Sequence, residues 1–461
     1  MVSNPFRSRP DSGVVHTGPT RFHRVAAEIV ARTERAAADL PVETDVVRVG
    51  STARGTWVAG DRDIDVFVRF PPAVDRDDLR SYGLAVGHAV LPDGDEEYAE
   101  HPYVAGTHEG FAVDIVPCYR VETAVDAQSA VDRTPFHTEF LAGRIGPVAD
   151  DVRLCKGFTT AVGIYGSDLQ TRGYSGYLTE LLVLHYGGFR GLIEAAADWH
   201  PPVRFDPADH GTKTFDHPLV VVDPTDPERN VAAVVAPENV ARLQHYARAL
   251  LARPRESLFE PYDPAPLGPA AIRGHLDRRG TTPVALRFDA PDLVDDELHP
   301  QLEKSRTGIV DELDRRGFDP LRSTVLADTD AAILVELAVA RRPAIERHEG
   351  PPVAVRDHAT DFHDIYADDA AAITADGERD DPPDESVYGP FVAGDRYVVE
   401  RPRAVTDPRD VLGTERLYDV ALGPAVEAAL REGHDLLVGD EVAALADRFG
   451  TELARYFAPR P

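Results

Sequence analysis

Lysine is almost missing from this 461-residue chain, and cysteine, methionine and tryptophan are also scarce. Only Lys156, Lys213 and Lys304 occur among 49 basic residues, whereas Asp and Glu number 79 and give a net charge of −30. Only two cysteines are present, Cys118 and Cys155, and both lie in apolar segments. They provide neither a disulfide framework nor a CxxC zinc pattern, so the chain is not expected to be a disulfide-stapled or zinc-ribbon protein.

Long hydrophobic runs are missing as well. No stretch approaches the roughly 20 apolar residues that a membrane-spanning helix needs, and no basic segment followed by an apolar run stands at the start. We therefore expect no membrane partner and a cytoplasmic location. The length predicts two to four domains.

The negative charge would ordinarily argue against nucleic acid, because Lys and Arg contacts to phosphate supply most of that affinity. Scarce lysine with excess aspartate is, however, typical of proteins in molar salt, where the Debye length falls to about 3 Å and surface repulsion is screened. A GC-rich genome would explain the lack of lysine but not the excess of aspartate. We interpret the acidity as a sign of a halophilic habitat and not of the ligand.

Apolar patterning predicts three regions. An amphipathic helix reaching about residue 40 and β-branched runs at 46–49, 63–70 and 111–119 predict a small α/β unit over residues 1–150.

Helical patterns predict a mostly helical domain over residues 151–260, and a Pro-rich passage follows at 261–269. Residues 270–461 then show the order strand, helix, strand, strand, which indicates an α/β domain. Within them, residues 364–386 are acidic and rich in Ala and Pro, which predicts an exposed or mobile stretch.

The segment VRVGSTARGTWVAGDRDIDVFVRF, residues 47–70, carries the clearest chemistry. Side chains alternate along a strand, so Asp63 and Asp65 should project from one face. Two adjacent carboxylates repel each other unless a cation lies between them. Two metal ions about 3.5–4 Å apart can stabilise both the attacking and the leaving oxygen of an in-line displacement. Asp114, on the later apolar strand, is a third candidate ligand. Mg²⁺ suits such an oxygen site.

Upstream of this pair, Gly50 allows close backbone approach to an anion, and Ser51 can present its hydroxyl and amide to a triphosphate. Arg54 follows one turn later and can neutralise a phosphate oxygen. An isolated Asp-x-Asp is usually a solvated strand face, and Gly-Ser alone is weaker still. The order strand, Gly-Ser, Asp-x-Asp, then a strand with a single Asp is much more specific.

This arrangement resembles the DNA polymerase β-like nucleotidyltransferase superfamily. Over essentially the whole chain the sequence more closely resembles the archaeal, class I CCA-adding enzymes, which build the 3′-terminal CCA of tRNA without a nucleic-acid template. The strings that carry this likeness are VGSTARGTW, DIDVF, VDIVPCY, DRTPFH (132–137), RLCKGF, GIYGSDLQTRGYSGYLTELL, DPTDPERNVA (223–232) and YGPFVAGDRYVVER (388–401).

The resemblance implies an α+β protein with three regions. A polymerase β-like head occupies residues 1–150, and a helical central domain over 151–260 completes the nucleotide pocket. A C-terminal ferredoxin-like α/β region over 270–461, which has an inserted tail, forms the tRNA-binding body and tail. It implies metal binding and catalysis by Asp63, Asp65 and Asp114, the last also helping to deprotonate the attacking 3′-hydroxyl. The nucleotide contacts that it implies are Ser51, Arg54, His137, Lys156, Tyr165 and Arg229, with Thr134 assisting nearby.

Arg229 matches the arginine that helps the family to select C and A. One departure stands out: relatives often carry Glu where this chain has Asp63, so this ligand is one methylene shorter. Arg401 and Arg403 are candidate contacts to the tRNA backbone.

The expected reaction is successive transfer from CTP, CTP and ATP to a tRNA that lacks all or part of its CCA, with release of pyrophosphate at a two-metal Mg²⁺ site. The resemblance also favours a homodimer. Two alternatives are a different polymerase β-like transferase, either poly(A)-adding or nucleotidylating a small molecule, and a non-catalytic protein that binds tRNA or NTP.

Overall fold

The computed structural model describes residues 19–58, 63–98, 100–371 and 387–461. The chain divides into two compact units, Met1–Tyr262 with Pro461, and Asp263–Arg460. Of the acidic segment 364–386, residues 364–371 are helical and residues 372–386 lie outside the described ones. Among the described residues, no helix combines the length and the apolar character that crossing a membrane requires.

The first part of unit one is a mixed sheet with two long helices on one face. Its elements are α1 (Pro19–Ala38), β1 (Asp45–Arg48), α2 (Gly50–Arg54), β2 (Ile64–Phe70), α3 (Arg76–Val90), β3 (Asp95–Tyr98), β4 (Pro102–His108) and β5 (Phe111–Tyr119). The strand order is β1-β2-β5-β4-β3, and β2 and β5 are the parallel pair. The sequence-based strands at 46–49, 63–70 and 111–119 are confirmed within one residue at each end.

Side chains along β2 and β5 alternate between the hydrophobic core and the opposite face of the sheet. Ile64, Val66, Val113 and Ile115 are buried in the hydrophobic cluster that α1 and α3 share with the sheet. The alternate residues face the other way, where a smaller cluster contains Phe67, Val116 and Cys118. Charged side chains at alternate positions of these strands therefore lie on the face that α1 and α3 do not cover.

The second part of unit one is a helical layer with a small sheet. Its elements are α4 (Thr134–Leu141), α5 (Ala149–Ala161), α6 (Gly176–His185), α7 (Phe189–Ala197), β6 (Val203–Phe205), β7 (Leu219–Asp223), β8 (Asp226–Asn230) and α8 (Pro237–Ala252). One cluster of buried Leu, Val, Phe and Ile side chains holds these elements together. The helical character agrees with the sequence prediction, but the sheet β6-β7-β8 was not predicted from the sequence.

A buried ion pair ties the two parts of unit one together. Arg54, at the end of α2, donates from Nε and Nη2 to the Glu180 carboxylate of α6, with Nη2 2.9 Å from Oε2. Its Nη1 donates to Thr138 Oγ1 of α4 at 3.0 Å. The Glu180 side chain is 0% exposed and that of Arg54 is 9% exposed. Thr56 also donates a hydrogen bond to Glu180.

Unit two has a ferredoxin-like core, as the resemblance implied. Its elements are α9 (Pro269–Arg279), β9 (Thr282–Asp289), α10 (Asp295–Arg315), β10 (Pro320–Ala327), β11 (Asp330–Leu337), β12 (Ile345–Pro352), α11 (Arg356–Ala371), β13 (Tyr388–Ala393), β14 (Arg396–Pro402), α12 (Arg409–Leu412), α13 (Pro424–Glu432), β15 (Asp435–Val438) and α14 (Ala446–Phe457).

The sheet order β10-β11-β9-β15 is antiparallel throughout and matches a βαββαβ arrangement. One hydrophobic cluster packs α10 on one face of this sheet, and a second packs α9 and α14 on the other. Strands β12, β14 and β13 form a separate sheet, and α11 packs against it. Together they form an insertion between β11 and α13.

Gly83 brings α3 close to β5, and this close packing predicts a stability effect. A Cβ atom at Gly83 would lie 2.6 Å from Pro117 Cγ, so Gly83→Ala should lower the free energy of unfolding by about 1–3 kcal/mol. The control is Gly157→Ala in α5, where a Cβ meets no atom within 4 Å and alanine should add about 0.5–1 kcal/mol. Urea unfolding in molar KCl measures both. Equal shifts in both variants would contradict the close packing.

Glu180→Gln should destabilise unit one by about 3 kcal/mol, because it leaves the buried Arg54 guanidinium without a countercharge. The control is Glu194→Gln, which breaks the exposed pair of Glu194 with Arg190 in α7 and should change little. Thermal unfolding in molar KCl compares the two variants. A Glu180→Gln protein as stable as the Glu194→Gln protein would show that the buried pair contributes nothing.

Candidate active site

The three predicted carboxylates lie at neighbouring positions on the sheet face that α1 and α3 leave uncovered. Asp63 directly precedes β2, Asp65 is its second residue, and Asp114 lies near the middle of β5. Asp65 and Asp114 are register partners in the parallel pair, so their side chains are neighbours on one face. All three are half-buried.

The electrostatics of this group indicate crowded negative charge. Burial, and then the charges of Asp63 and Glu97, raise the pKa of Asp114 to about 6. A divalent cation between the carboxylates would offset this crowding of negative charge. The donors are all oxygen atoms, which suits Mg²⁺ or another hard divalent ion.

Two hydrogen bonds and one close approach at Gly50 hold the Gly-Ser turn against the acidic strand. Gly50 has a φ of +77°, and a Cβ atom there would overlap the Asp65 carboxylate, so glycine is required on both grounds. Val49 N donates to the Asp65 carbonyl at 3.0 Å, and Thr52 Oγ1 donates to the Asp63 carbonyl at 2.9 Å. Ser51, the next residue, therefore stands beside the carboxylates.

Lys156 and Tyr165 come together at the start of α6. Lys156, on α5, is only 1% exposed, and its Nζ lies 5.8 Å from the centroid of the Tyr165 ring. A Cβ atom at Gly176 would lie 3.2 Å from Tyr165 Oη and 3.7 Å from Lys156 Nζ. The absence of a side chain at Gly176 therefore leaves room for both groups.

His137 and Arg229 share a partner that sequence reasoning missed. Arg229 Nη1 lies 2.7 Å from Asp223 Oδ2, and His137 Nε2 lies 2.9 Å from the same oxygen. The His137 ring stacks on Tyr177 with centroids 4.0 Å apart. The only sequence signal for Asp223 is a lone acid that ends the apolar run LVVVD.

Burial and pairing act in opposite directions on this group. Burial lowers the pKa of His137 below its ordinary value, although Asp223 opposes the shift. Burial also disfavours ionisation of Asp223, but hydrogen bonds from His137 and Thr225 outweigh it and hold the pKa of that carboxyl well below its usual range. Both shifts favour a carboxylate beside a neutral imidazole at neutral pH.

Arg229 lines an open cleft of about 770 Å³ in unit one, together with Arg133, Ser175, Phe215 and His217. The side chain of Arg229 is 38% exposed. The predicted nucleotide residue Arg54 differs, because its guanidinium is engaged by Glu180 and Thr138. Thr134 is the first residue of α4.

The two arginines proposed from the sequence as tRNA contacts share one acid. Arg401 Nε donates to Glu346 Oε1 at 3.0 Å, and Arg403 Nη1 lies 3.6 Å from Glu346 Oε2. Arg401 also donates to Tyr366 Oη at 3.3 Å. Their positive charge is therefore partly compensated within unit two.

Another group of possible metal ligands lies away from the Asp-x-Asp segment in sequence. Ligand atoms of Glu28, His108 and Glu109 lie within 4.8 Å of one another. Arg24 Nη2 lies 2.6 Å from Glu109 Oε2, so a side-chain cation already neutralises this acid. Sequence spacing gave no sign of this group.

Three family models match the chain in succession. They are a nucleotidyltransferase domain over residues 31–137, the second domain of tRNA nucleotidyltransferase over 150–260, and the C-terminal domain of the CCA-adding enzyme over 279–439. Among solved structures, E. coli MS115-1 CdnC with ATP is similar at 20% identity and a TM-score of 0.41, covering 52% of this chain and 88% of that chain.

Curated relatives match over almost the full length. The chain is 58% identical to the CCA-adding enzyme of Haloarcula marismortui and 59% identical to that of Halorubrum lacusprofundi, in each case over 96% of this chain and 95% of the relative. It is 37% identical to the CCA-adding enzyme of Methanosarcina barkeri, over 93% of this chain and 92% of the relative. The halophilic relatives agree with a salt-adapted composition. The chain belongs to the CCA-adding enzymes, the tRNA nucleotidyltransferases that add the 3′-terminal CCA.

Proposed function

We propose that this transferase holds Mg²⁺ in a two-metal site formed by Asp63, Asp65 and Asp114, and uses it to add C, C and A to tRNA. The observation that carries the proposal is the register of Asp65 with Asp114 on adjacent parallel strands. The raised pKa of Asp114, caused by burial and by the charges of Asp63 and Glu97, supports it. A set of crowded carboxylates in an NTP-using family is best explained as a divalent-cation site.

When bound, divalent cations supply positive charge to the triphosphate and to the attacking oxygen. The residues of the chain do the remaining work. Asp114 accepts the proton of the tRNA 3′-hydroxyl, and the three carboxylates orient the reacting groups in line. The close Gly50 turn lets the backbone and hydroxyl of Ser51 approach the triphosphate.

The proposed nucleotide contacts bind different parts of the substrate. Lys156 and Arg54 place positive charge near the phosphates, Arg54 from a position fixed by Glu180. Tyr165 and His137 pack against or hydrogen-bond the sugar and phosphate, and Arg229 helps to select C and A. This set follows from the family resemblance and is supported by the contact of Lys156 with Tyr165 and by the contacts of His137 and Arg229 with the same Asp223 oxygen.

We assign the reacting carboxylates to a catalytic head over residues 1–150, the completion of the nucleotide pocket to residues 151–260, and tRNA binding to a body and tail over 270–461. The boundaries are supported by the separate family models at 31–137, 150–260 and 279–439. Arg401 and Arg403 remain candidate phosphate contacts. We further propose action in the cytoplasm and, by the family resemblance, as a homodimer.

Nucleotide addition to a tRNA transcript that lacks CCA tests the substrate directly, in molar KCl with MgCl2. CTP alone should add two residues, and CTP with ATP should add three and then stop. Gel analysis at single-nucleotide resolution measures the products. Indefinite addition of A, or no RNA product with any NTP, would contradict the proposal and favour a poly(A)-adding or small-molecule enzyme.

Asp63→Asn, Asp65→Asn and Asp114→Asn should each lower the rate of nucleotide incorporation more than about 100-fold. Each change removes a proposed ligand of the cations that stabilise negative charge on the phosphate. The control is Glu97→Gln, which removes a neighbouring charge but no proposed ligand. Binding of labelled tRNA should be unchanged in all four proteins. Full incorporation by Asp65→Asn at saturating Mg²⁺ would disprove the metal role.

A further inference from the structure

Asp223 is the point at which two proposed nucleotide contacts are joined. It ends β7, and its side chain is 0% exposed. Oδ2 accepts from Arg229 Nη1 at 2.7 Å and from His137 Nε2 at 2.9 Å. Oδ1 accepts from the Thr225 amide at 2.9 Å and from the Thr225 hydroxyl at 2.8 Å. The carboxylate is thus fixed on one side and presents the other to two functional groups.

We propose that Asp223 is a positioning residue for nucleotide selection, whose one carboxylate fixes both the guanidinium of Arg229 and the ring tautomer of His137. This inference rests on the proposed function, in which Arg229 and His137 contact the nucleotide. It adds a residue that contacts no substrate in the proposed reaction but determines the orientation of two residues that do.

The effect on Arg229 follows from its length and exposure. Arginine has many rotamers, and an arginine that is 38% exposed beside an open cleft is not held by packing alone. A charge-assisted hydrogen bond to a buried, pre-oriented carboxylate restricts it to one arrangement. The planar fork can then recognise a base by direction as well as by charge.

The effect on His137 follows from proton positions. An ionised carboxylate only accepts hydrogen bonds, so Nε2 of His137 must carry the proton that it donates to Asp223. In the neutral ring this makes Nδ1 an acceptor. The stacked Tyr177 ring holds the imidazole plane in place. His137 therefore offers an acceptor to the nucleotide and no positive charge.

An oriented guanidinium at Arg229 suits a site that takes C and A. Cytosine and adenine carry exocyclic amino donors at the positions where uracil and guanine carry carbonyl acceptors. On the same edge, cytosine N3 and adenine N1 accept a hydrogen bond, whereas uracil N3–H and guanine N1–H donate one, so a guanidinium held in one direction favours C and A. Loss of Asp223 should consequently reduce discrimination between nucleotides and not only the overall rate.

The test compares Asp223→Asn, Arg229→Ala and the double variant. The asparagine side chain keeps the volume but has one oxygen and a donating nitrogen, so it cannot accept from Arg229, His137 and Thr225 together. Kinetics with each of the four NTPs are measured on two tRNA transcripts, in molar KCl with Mg²⁺. One transcript ends with the first C of the CCA and should accept C, and the other ends with the second C and should accept A. The matched control is Glu336→Gln in unit two, where another buried carboxylate accepts from an arginine and a threonine, Arg279 and Thr281.

For Asp223→Asn we expect kcat/KM for CTP and ATP to fall about 10–100-fold, with KM for tRNA unchanged. Preference for CTP over UTP and for ATP over GTP should fall at least about tenfold. The double variant should lose less than the product of the two single losses, because Asp223 acts partly through Arg229. Glu336→Gln should keep the selectivity of the unmodified protein.

The outcomes separate this inference from the function on which it rests. Unchanged selectivity in Arg229→Ala would show that the proposed role of Arg229 is wrong. Reduced selectivity in Arg229→Ala with unchanged selectivity in Asp223→Asn would overturn the positioning role alone. A loss of rate in Asp223→Asn at constant selectivity, in proportion to lost stability, would also overturn it.

A second variant covers the case in which Asp223→Asn does not fold. Thr225→Val removes the hydroxyl donor to Oδ1 but keeps the charge of the carboxylate and its partner Arg229. Selectivity should then fall several-fold in the same direction, because Oδ1 keeps the backbone amide of residue 225 but loses the hydroxyl, and the carboxylate is held less firmly. Urea unfolding checks that the protein is folded in the assay, and selectivity equal to that of the unmodified protein would overturn the inference.

Discussion

The parallel pairing of β2 with β5 is the constraint on which the site depends. It sets Asp65 directly beside Asp114, while the alternate residues of both strands are buried against α1 and α3. A shift of one residue in this register would turn a carboxylate into the core and an isoleucine into the site. The apolar packing of the head therefore fixes the relative position of the carboxylates, and it holds together charges that would otherwise separate.

Salt changes which electrostatic contacts matter in a chain with a net charge of −30. At molar ionic strength, exposed charges more than about 3 Å apart are largely screened, whereas buried pairs are screened much less. The pairs of Arg54 with Glu180 and of Arg229 with Asp223 each have a carboxylate that is 0% exposed. The same salt weakens binding that relies on release of counterions from RNA, so tRNA recognition must depend more on shape and on non-ionic contacts.

Local patterns predicted the strands and the acids that they carry. The strand over Phe111–Tyr119 was predicted from its apolar run, and Asp114 from its position within that run. The partners of Arg54 and His137 were not predictable in this way, because Glu180 and Asp223 lie 126 and 86 residues further along the chain. The sheet of β6, β7 and β8 was missed for a related reason. Its strands have three to five residues each and carry no long alternating pattern.

The two arginines that the family resemblance assigns to the nucleotide differ in what they can still offer. Arg54 directs Nε and both Nη atoms at Glu180 and Thr138 and is 9% exposed. Arg229 directs one Nη at Asp223 and is 38% exposed on an open cleft. A guanidinium has five N–H donors in a rigid fork, so Arg229 retains more donors for a ligand. We therefore propose that Arg54 contributes most by holding the Gly-Ser turn against the helical layer, whereas Arg229 keeps donors available for a ligand.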